Sequence, residues 1–197
     1  MPRIIFITGQ SGAGKDTLAT SLAESFEEKY GQTISFSSGE EVRRFGQTGT
    51  YTAELVRENN QKGKLAPWFA LIGTHFNKIN NEFTGDENII WNGSPRTPRE
   101  FEINSQMVEF YGLKADLVYL KVSDEECLRR IVERQKLESR EGTANLEAIN
   151  TKLKFFHEAV LPAIELARKD ENYTVHEIDG SGTKEEVFER VKKALNI

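Results

Sequence analysis

A glycine-rich segment near the start of the chain carries the clearest chemical signal. Residues 9–15 read Gly-Gln-Ser-Gly-Ala-Gly-Lys and follow a short β-branched apolar run over residues 3–8, which predicts a buried parallel strand. Glycine permits a tight turn with inward-pointing N–H groups, and a helix that follows offers the positive end of its dipole to an anion. Lys15 adds a full positive charge. The spacing Gly-x-x-x-x-Gly-Lys is that of a phosphate-binding loop, so the sequence predicts a nucleotide site.

The position after this lysine departs from the usual pattern. The expected Ser or Thr is replaced by Asp16, and Thr17 follows one position later. The residues that we expect to hold the phosphates of the bound nucleotide are Gly12, Ala13, Gly14, Lys15, Asp16 and Thr17.

A second motif follows the third predicted strand. The run Gly93-Ser94-Pro95-Arg96-Thr97 places an arginine on a rigid proline turn. The carboxyl ends of strands in an open α/β sheet border the crevice where ligands bind, and a planar guanidinium can clamp phosphate through two hydrogen bonds. The alternative is a surface turn whose arginine pairs with a glutamate.

Two further segments carry arginines at helical spacing. Arg130 and Arg134 share one helix face, where like charges repel unless a partner such as a polyphosphate is bound. The alternative is a solvated helix, because Glu126 lies four residues before Arg130. Earlier in the chain, the small residues Ser37-Ser38-Gly39 leave space for a base, and Arg43 follows one helical turn later.

Apolar patterning predicts the elements that position these motifs. Five short strands alternate with helices, which indicates a parallel sheet covered on both faces. Residues 39–81 form a mainly helical insertion, and Pro162 should break a long helical region that reaches residue 169. The predicted strands cover residues 3–8, 33–37, 88–91, 116–122 and 173–178.

Length and composition narrow the class of protein. The chain has 197 residues, 38% of them hydrophobic and 29% charged, which predicts one folded domain. A net charge of −5 argues against nucleic acid or an anionic membrane as a partner. With the single cysteine Cys127, no internal disulfide can form, and no segment resembles a signal peptide or a membrane span. We therefore expect a cytoplasmic protein that binds small molecules. We also expect a monomer, although composition does not determine the oligomeric state.

Taken in order, these motifs resemble those of the adenylate kinase family of nucleoside monophosphate kinases, over nearly the whole chain. Residues 9–17 resemble the family's loop Gly-x-Pro-Gly-x-Gly-Lys-Gly-Thr, which explains a threonine two positions after the lysine. Residues 37–43 resemble its Ser-Thr-Gly-Asp-x-x-Arg element, and Gly63-Lys64-Leu65 resembles its Gly-Lys-Leu segment. Residues 92–97 resemble its signature Asp-Gly-Phe-Pro-Arg-Thr, and residues 134–143 resemble the short form of its lid.

The resemblance implies both a fold and a reaction. The fold is the P-loop NTPase fold, an α/β domain over residues 1–197 with a five-stranded parallel sheet and helices on both faces. A nucleoside-monophosphate-binding insertion at 39–81 and a short lid at 134–143 complete it. The reaction moves the γ-phosphoryl group of ATP, as its Mg²⁺ complex, to a nucleoside monophosphate, with AMP as the first choice. Such catalysis depends on positioning and on neutralising charge.

The resemblance also implies roles for single residues. Arg43 and Arg96 would hold the acceptor phosphate, and Arg130 would lie near the donor base and phosphates. The predicted catalytic residues are Lys15, Arg96, Arg134 and Arg140. The predicted acceptor-binding residues are Ser38, Gly39, Arg43, Lys64, Leu65, Gly93, Arg96 and Glu100.

The metal-binding residue differs from the family pattern. The family signature begins with an aspartate that helps hold Mg²⁺ through water, whereas this chain has Asn92. The family's glycine after the lysine is Asp16 here. Our hypothesis is that Asp16 supplies, through water, the charge that Asn92 lacks. The alternative is that Asp16 only complements the helix dipole.

The base contacts and the lid differ as well. The family glutamine that matches adenine falls at Glu100, a pure acceptor that would also suit the N1–H and N2–H donors of guanine. A shift of one residue would place Arg99 there instead, and Ser38 replaces the usual threonine. In the lid, Arg-x-Asp-Asp becomes Arg140-Glu-Gly-Thr, and an arginine after it becomes Lys152, a poorer clamp. Two alternatives stay open. One is a kinase for GMP, a pyrimidine or deoxynucleotide, or a small metabolite, and the other is a nucleotide sensor without turnover.

Overall fold

A parallel sheet of five strands forms the centre of the structure. The computed structural model describes residues 1–62, 64–137 and 146–197. The strands are β1 (Ile4–Gly9), β2 (Thr33–Ser37), β3 (Asn88–Asn92), β4 (Ala115–Lys121) and β5 (Tyr173–Asp179). They lie in the order β2-β3-β1-β4-β5, each parallel to its neighbours. Every strand starts and ends within one residue of its predicted position, and the predicted α/β fold is confirmed.

Helices cover both faces of this sheet. Ile5 and Ile7 of β1 pack on one side and Ile4 and Phe6 on the other, as the alternation of a strand requires. Each of these fully buried side chains contributes about 1.5–3 kcal/mol relative to an exposed one. Within the described residues, no helix has both the length and the apolar character that crossing a membrane requires. The helices flanking the sheet are α1 (Lys15–Tyr30), α5 (Pro98–Phe110), α6 (Asp124–Leu137) and α9 (Lys184–Leu195).

Three helices lie between β2 and β3, where the sequence predicts a helical insertion. They are α2 (Ser38–Phe45), α3 (Tyr51–Gln61) and α4 (Trp68–Glu82). A small apolar cluster that includes Val42 and Val56 joins them apart from the main core. This cluster gives the segment an internal core of its own, and its role as a monophosphate-binding unit stays a prediction.

The helical region after residue 146 is interrupted close to the predicted position. Here α7 (Leu146–Phe155) runs into a π-helical turn (Phe156–Val160) and then α8 (Leu161–Ala167). The Leu161 N–H donates to the carbonyl of Phe156, five residues back. Pro162, which has no N–H, cannot continue the α-helical pattern, so the interruption predicted from Pro162 is confirmed.

His75 is a buried histidine of α4 that packs edge-on against Trp91 of β3, with 5.7 Å between the ring centroids. Burial and then the Arg96 charge lower the pKa of His75 from 6.5 to about 3, and the Ser38 backbone opposes part of this change. The unfolded chain therefore takes up a proton at His75 as the pH falls below 6.5, whereas the folded chain does not until about pH 3. The free energy of unfolding therefore decreases as the pH falls from 6.5 toward 3, because only the unfolded chain gains this proton.

We expect the free energy of unfolding to fall between pH 7 and pH 5. In a His75→Leu variant this fall should be smaller by about 2 kcal/mol, because the contribution of His75 is removed. Urea unfolding of both proteins at the two pH values measures this difference. The same pH dependence in both proteins would contradict the assignment of a low pKa to His75.

Candidate nucleotide-binding site

The loop between β1 and α1 has the backbone of a phosphate-binding turn. Gly9 and Gly12 have φ angles of 144° and 88°. A Cβ would lie 2.6 Å from the Leu120 carbonyl oxygen at Gly9, and 2.7 Å from the Cys127 carbonyl oxygen at Gly12. Only glycine fits at these two positions. No described side chain caps the start of α1, so its first N–H groups remain open to an anion.

Gln10 holds Lys15 against this turn. The Lys15 Nζ donates to the Gln10 carbonyl at 2.7 Å, and the Ala13 N–H donates to the same oxygen at 3.2 Å. Lys15 and Gln10 both line a cleft at the carboxyl ends of β1, β2 and β3. We call this space the cleft.

Asp16 and Asn92 are hydrogen-bonded to each other across the cleft wall. The Asn92 Nδ2 donates to the Asp16 Oδ1 at 2.7 Å. Asn92 ends β3 and is buried, whereas Asp16 lies in the first turn of α1 and is exposed. A carboxylate is therefore adjacent to the position where the family pattern has one, although it belongs to a different residue.

The signature loop at 93–97 aims Arg96 into the cleft. The Arg96 Nε donates to the Gly93 carbonyl at 2.8 Å, and the Gly93 N–H donates to the Ile7 carbonyl at 2.8 Å. The Thr8 hydroxyl donates to the Pro95 carbonyl at 3.2 Å. These bonds fix the loop on the end of β1 and limit the directions that Arg96 can take.

Two arginines converge beside Gly39. A Cβ at Gly39 would lie 3.4 Å from Arg43 Nη1 and 3.7 Å from Arg96 Nη2. Burial lowers the pKa of Arg96, the Glu100 charge raises it, and the Arg43 charge lowers it again. Two guanidinium groups near one point repel each other, and an anion bound between them would relieve this repulsion.

Glu100 does not reach the cleft. Its carboxylate accepts from the Ser94 hydroxyl at 2.6 Å and from the Arg96 N–H at 2.9 Å, and its side chain is buried. Burial raises the pKa of Glu100, and the Arg96 charge opposes this change. The prediction of a contact between Glu100 and the base is wrong, because both oxygens are used to brace the signature loop.

Ser38 is also placed differently from the prediction. It is fully buried, and its hydroxyl accepts from the Trp91 Nε1 at 2.7 Å. The preceding residue, Ser37, lines the cleft instead. The structure therefore brings Gly39, Arg43 and the end of β2 to the cleft, but not the Ser38 side chain.

The insertion contributes the opposite wall of the cleft. Lys64 and Leu65 line it, as predicted for an acceptor site. Asn60, near the end of α3, lines the same wall. Sequence reasoning missed Asn60 because a single polar residue at the end of an exposed helix has no distinctive pattern.

A second cavity lies on the other side of the phosphate loop. It has a volume of about 670 Å³, within the usual size range of small-molecule sites. The sequence predicts five of its lining residues, namely Gly12, Ala13, Gly14, Thr17 and Arg130. Among the residues that sequence reasoning missed are those of the loop after β5 and the start of α9. The position of that loop at the carboxyl end of a parallel strand was the signal available for it.

Arg130 is held at the wall of this second cavity. Its Nε donates to the Glu126 carboxylate at 2.7 Å, and its Nη2 donates to the Gly180 carbonyl at 3.2 Å. Glu126 also accepts from Arg129, and these bonds lower the pKa of Glu126 to about 2. The ion-paired helix face that the sequence leaves as an alternative is therefore present, although it borders a cavity.

Two predicted catalytic residues cannot be placed in the cleft. Arg134 belongs to α6, but nothing is described of its side chain, and Arg140 lies outside the described residues with most of the predicted lid. Lys152 of α7 is described and lines the cleft. The roles of Arg134 and Arg140 stay predictions.

Comparison with known proteins places these features in a family. A family model described as an AAA domain matches residues 4–159. An adenylate kinase of Thermus thermophilus is 30% identical over 98% of this chain and 97% of its own length. Adenylate kinases of Deinococcus radiodurans and Parabacteroides distasonis are 29% and 27% identical, each over 98% of this chain and 97% of its own length.

The matches extend over almost the whole length of both partners, so the matched region of this chain spans the phosphate loop, the signature loop and the two converging arginines. With this coverage and this site geometry, the chain belongs to the adenylate kinase family and is a phosphotransferase.

Proposed function

We propose that the protein transfers the γ-phosphoryl group of Mg²⁺-bound ATP to AMP and forms two molecules of ADP. The observation that carries this proposal is the meeting of Arg43 and Arg96 beside Gly39, in the same cleft as Lys15. We call the position between Arg43 and Arg96 the paired-arginine site. Two guanidinium groups can bind a phosphate monoester, and the phosphate loop can bind a polyphosphate. The names of the relatives support AMP as the acceptor.

The proposed chemistry needs no base or nucleophile from the protein. An acceptor phosphate oxygen, already ionised, attacks the γ-phosphorus, and the bond to the oxygen bridging the β- and γ-phosphates breaks. Lys15 would neutralise charge on the transferring oxygens, while Arg43 and Arg96 orient the acceptor. By resemblance, Arg134 and Arg140 would complete this positive surround. The second cavity, with Arg130, would take the rest of the donor nucleotide.

The residues present suit a metal ion that arrives with the nucleotide. Among the described residues, no cluster of three or more metal-ligating side chains exists, whereas Mg²⁺ is commonly held by substrate phosphates, waters and one or two carboxylates. Asp16 is an exposed carboxylate on the cleft, bonded to Asn92 at 2.7 Å. We assign to Asp16 the negative charge that would hold the waters of such an ion.

The structure removes the main argument for guanine as the acceptor base. That argument depended on the Glu100 carboxylate, and both of its oxygens accept hydrogen bonds from the signature loop. AMP therefore remains the acceptor that we propose. We also propose a cytoplasmic location, which the single cysteine supports because it allows no internal disulfide, and a monomeric state.

Purified protein incubated with Mg²⁺, ATP and single nucleoside monophosphates tests the proposal through the rate of ADP formation. We expect turnover with AMP and at least tenfold less with GMP or pyrimidine nucleotides. Turnover mainly with GMP would contradict the choice of acceptor. ATP binding without any turnover would support a sensor instead.

The paired-arginine site has its own control in this assay. We expect Arg96→Ala to lower kcat/KM for AMP by at least a hundredfold, because a buried phosphate contact is lost. Arg99→Ala, three residues later and exposed, should have little effect. Equal losses in both variants would argue for a general charge effect rather than for a phosphate contact.

The Asp16–Asn92 pair makes a separate prediction about Mg²⁺. We expect Asp16→Gly to raise the Mg²⁺ concentration at half-maximal rate about tenfold, and Asn92→Asp added to it to restore most of the loss, because one carboxylate replaces the other. Glu24→Gln, which removes an exposed charge from the same helix, serves as the control. If Asp16→Gly changes thermal stability but not the Mg²⁺ dependence, Asp16 only complements the helix dipole.

The bracing role of Glu100 predicts a loss of stability without a change of acceptor. Glu100→Gln can keep an oxygen for the Arg96 N–H only by turning its amide donor toward the Ser94 hydroxyl, whose oxygen already accepts from the Asn104 Nδ2 at 2.8 Å. The buried Ser94 O–H then loses its acceptor, which should lower the free energy of unfolding by about 1–3 kcal/mol. The ratio of rates with AMP and GMP should not change. Denaturant unfolding and the monophosphate panel measure the two effects, with the exposed Glu102→Gln as control. A changed ratio would return Glu100 to the base site.

A further inference from the structure

A chain of three side chains connects the phosphate loop to the π-helical turn. The Gln10 Nε2 donates to the Asp124 Oδ1 at 2.5 Å, and the His157 Nε2 lies 3.0 Å from the Asp124 Oδ2. Because an ionised carboxylate only accepts hydrogen bonds, this contact requires the imidazole tautomer with hydrogen on Nε2. The Gln10 and His157 hydrogen bonds hold the pKa of Asp124 below its usual value. Three segments far apart in the sequence meet at this one carboxylate.

Of the three hydrogen-bonded residues, Gln10 is the one that contacts Lys15. Its carbonyl holds the Lys15 Nζ and the Ala13 N–H, and its side chain is 3% exposed. No described residue donates to the buried Gln10 Oε1. Among the described residues, Asp124 is therefore the one hydrogen-bond partner of this side chain, and without it the whole amide would be buried and unpaired, which is costly.

The π-helical turn places His157 where it can reach Asp124. Phe156 and Val160 of the turn are buried and line the cleft, and the Phe156 ring packs on Tyr119 of β4 with 6.1 Å between centroids. His157 packs edge-on against Phe156 and is half exposed. Because Phe156 and Val160 are buried and anchor the turn, they fix the backbone position from which the His157 side chain extends. π-Helical turns of this kind occur frequently at functional sites.

We propose that His157 is a positioning residue for phosphoryl transfer, which acts through Asp124 on Gln10 and so sets the position of Lys15. The inference rests on the proposed function for its kinetic consequences, but the hydrogen-bonded chain does not depend on it. His157 itself need not contact either nucleotide. An exposed imidazole–carboxylate contact of this type contributes little to stability, so its main effect falls on the orientation of the Gln10 amide.

Steady-state kinetics of His157 variants test the proposal. We expect His157→Ala to lower kcat about fivefold, the effect of losing one hydrogen bond, and to leave the KM for AMP unchanged, because Arg43 and Arg96 hold the acceptor. His157→Gln should retain most of the activity, since its amide nitrogen can donate to Asp124. A rise in the KM for AMP with unchanged kcat would overturn the proposal.

A double-variant cycle tests whether His157 acts through Gln10. In a Gln10→Ala background, His157→Ala should lower kcat no further, because its effect passes through the missing side chain. The same fivefold loss in both backgrounds would show that His157 acts independently and would overturn the proposal.

Two controls separate this role from general effects. Glu125→Gln removes an exposed charge from the first turn of α6 without a described contact to Gln10 or His157. His176→Ala breaks another imidazole–carboxylate pair, with Asp116 at 2.7 Å on β4. Both should leave kcat unchanged, even if His176→Ala lowers the melting temperature. A loss of kcat in either control equal to that of His157→Ala would contradict the proposal.

A readout independent of turnover separates this proposal from the proposed function. In ¹⁵N-labelled protein, the Gln10 side-chain amide, identified by its disappearance in Gln10→Ala, should exchange with water faster in His157→Ala than in the unchanged chain. An unchanged exchange rate would overturn the role of His157 whether or not AMP is a substrate. Faster exchange in a protein without kinase activity would support the chain of contacts and contradict only the proposed function.

Discussion

Mutual repulsion between Arg43 and Arg96 is the constraint on which the acceptor side of the cleft depends. Two guanidinium groups held this close, beside Gly39, are unfavourable unless negative charge lies near them. Glu100 supplies part of that charge from beneath the signature loop, and Asp16 supplies some from the first turn of α1. An anion bound between the two arginines would relieve the rest of this repulsion, so the charge pattern favours an anionic ligand such as the acceptor phosphate that we propose.

The sheet determines which groups share this environment. With β3 between β1 and β2, the carboxyl ends of three neighbouring strands supply the phosphate loop, the signature loop and the start of α2. Direct bonds between the ends of β1 and β3, such as the one from the Gly93 N–H to the Ile7 carbonyl at 2.8 Å, keep two of these loops in a fixed relation. Backbone hydrogen bonds therefore hold the charged side chains of these loops in place. Such rigidity suits a reaction in which the protein orients charges and forms no covalent bond to the substrate.

The sequence predicts the elements and the backbone-dependent parts of the site well. Strand boundaries follow from short apolar runs, and the glycines of the loop are required by close approaches that only glycine allows. The sequence predicts the directions of side chains less well. Glu100 and Ser38 have the right spacing for base contacts, but burial turns both toward the signature loop and Trp91. The bond between Asp16 and Asn92 joins residues 76 positions apart, and only the tertiary structure shows that distance.

The π-helical turn makes the region around Phe156 sensitive to changes in chain length. A π turn contains one residue more than an α turn, so the loss of one residue there would change the rotation of α7 about the helix axis relative to α8. Each residue of an α-helix rotates the following side chain by about 100°. Such a deletion would therefore turn α7, with Lys152, away from the cleft relative to α8, which stays packed in the core. Related chains with a shortened turn would have to rebuild this wall of the cleft from other residues.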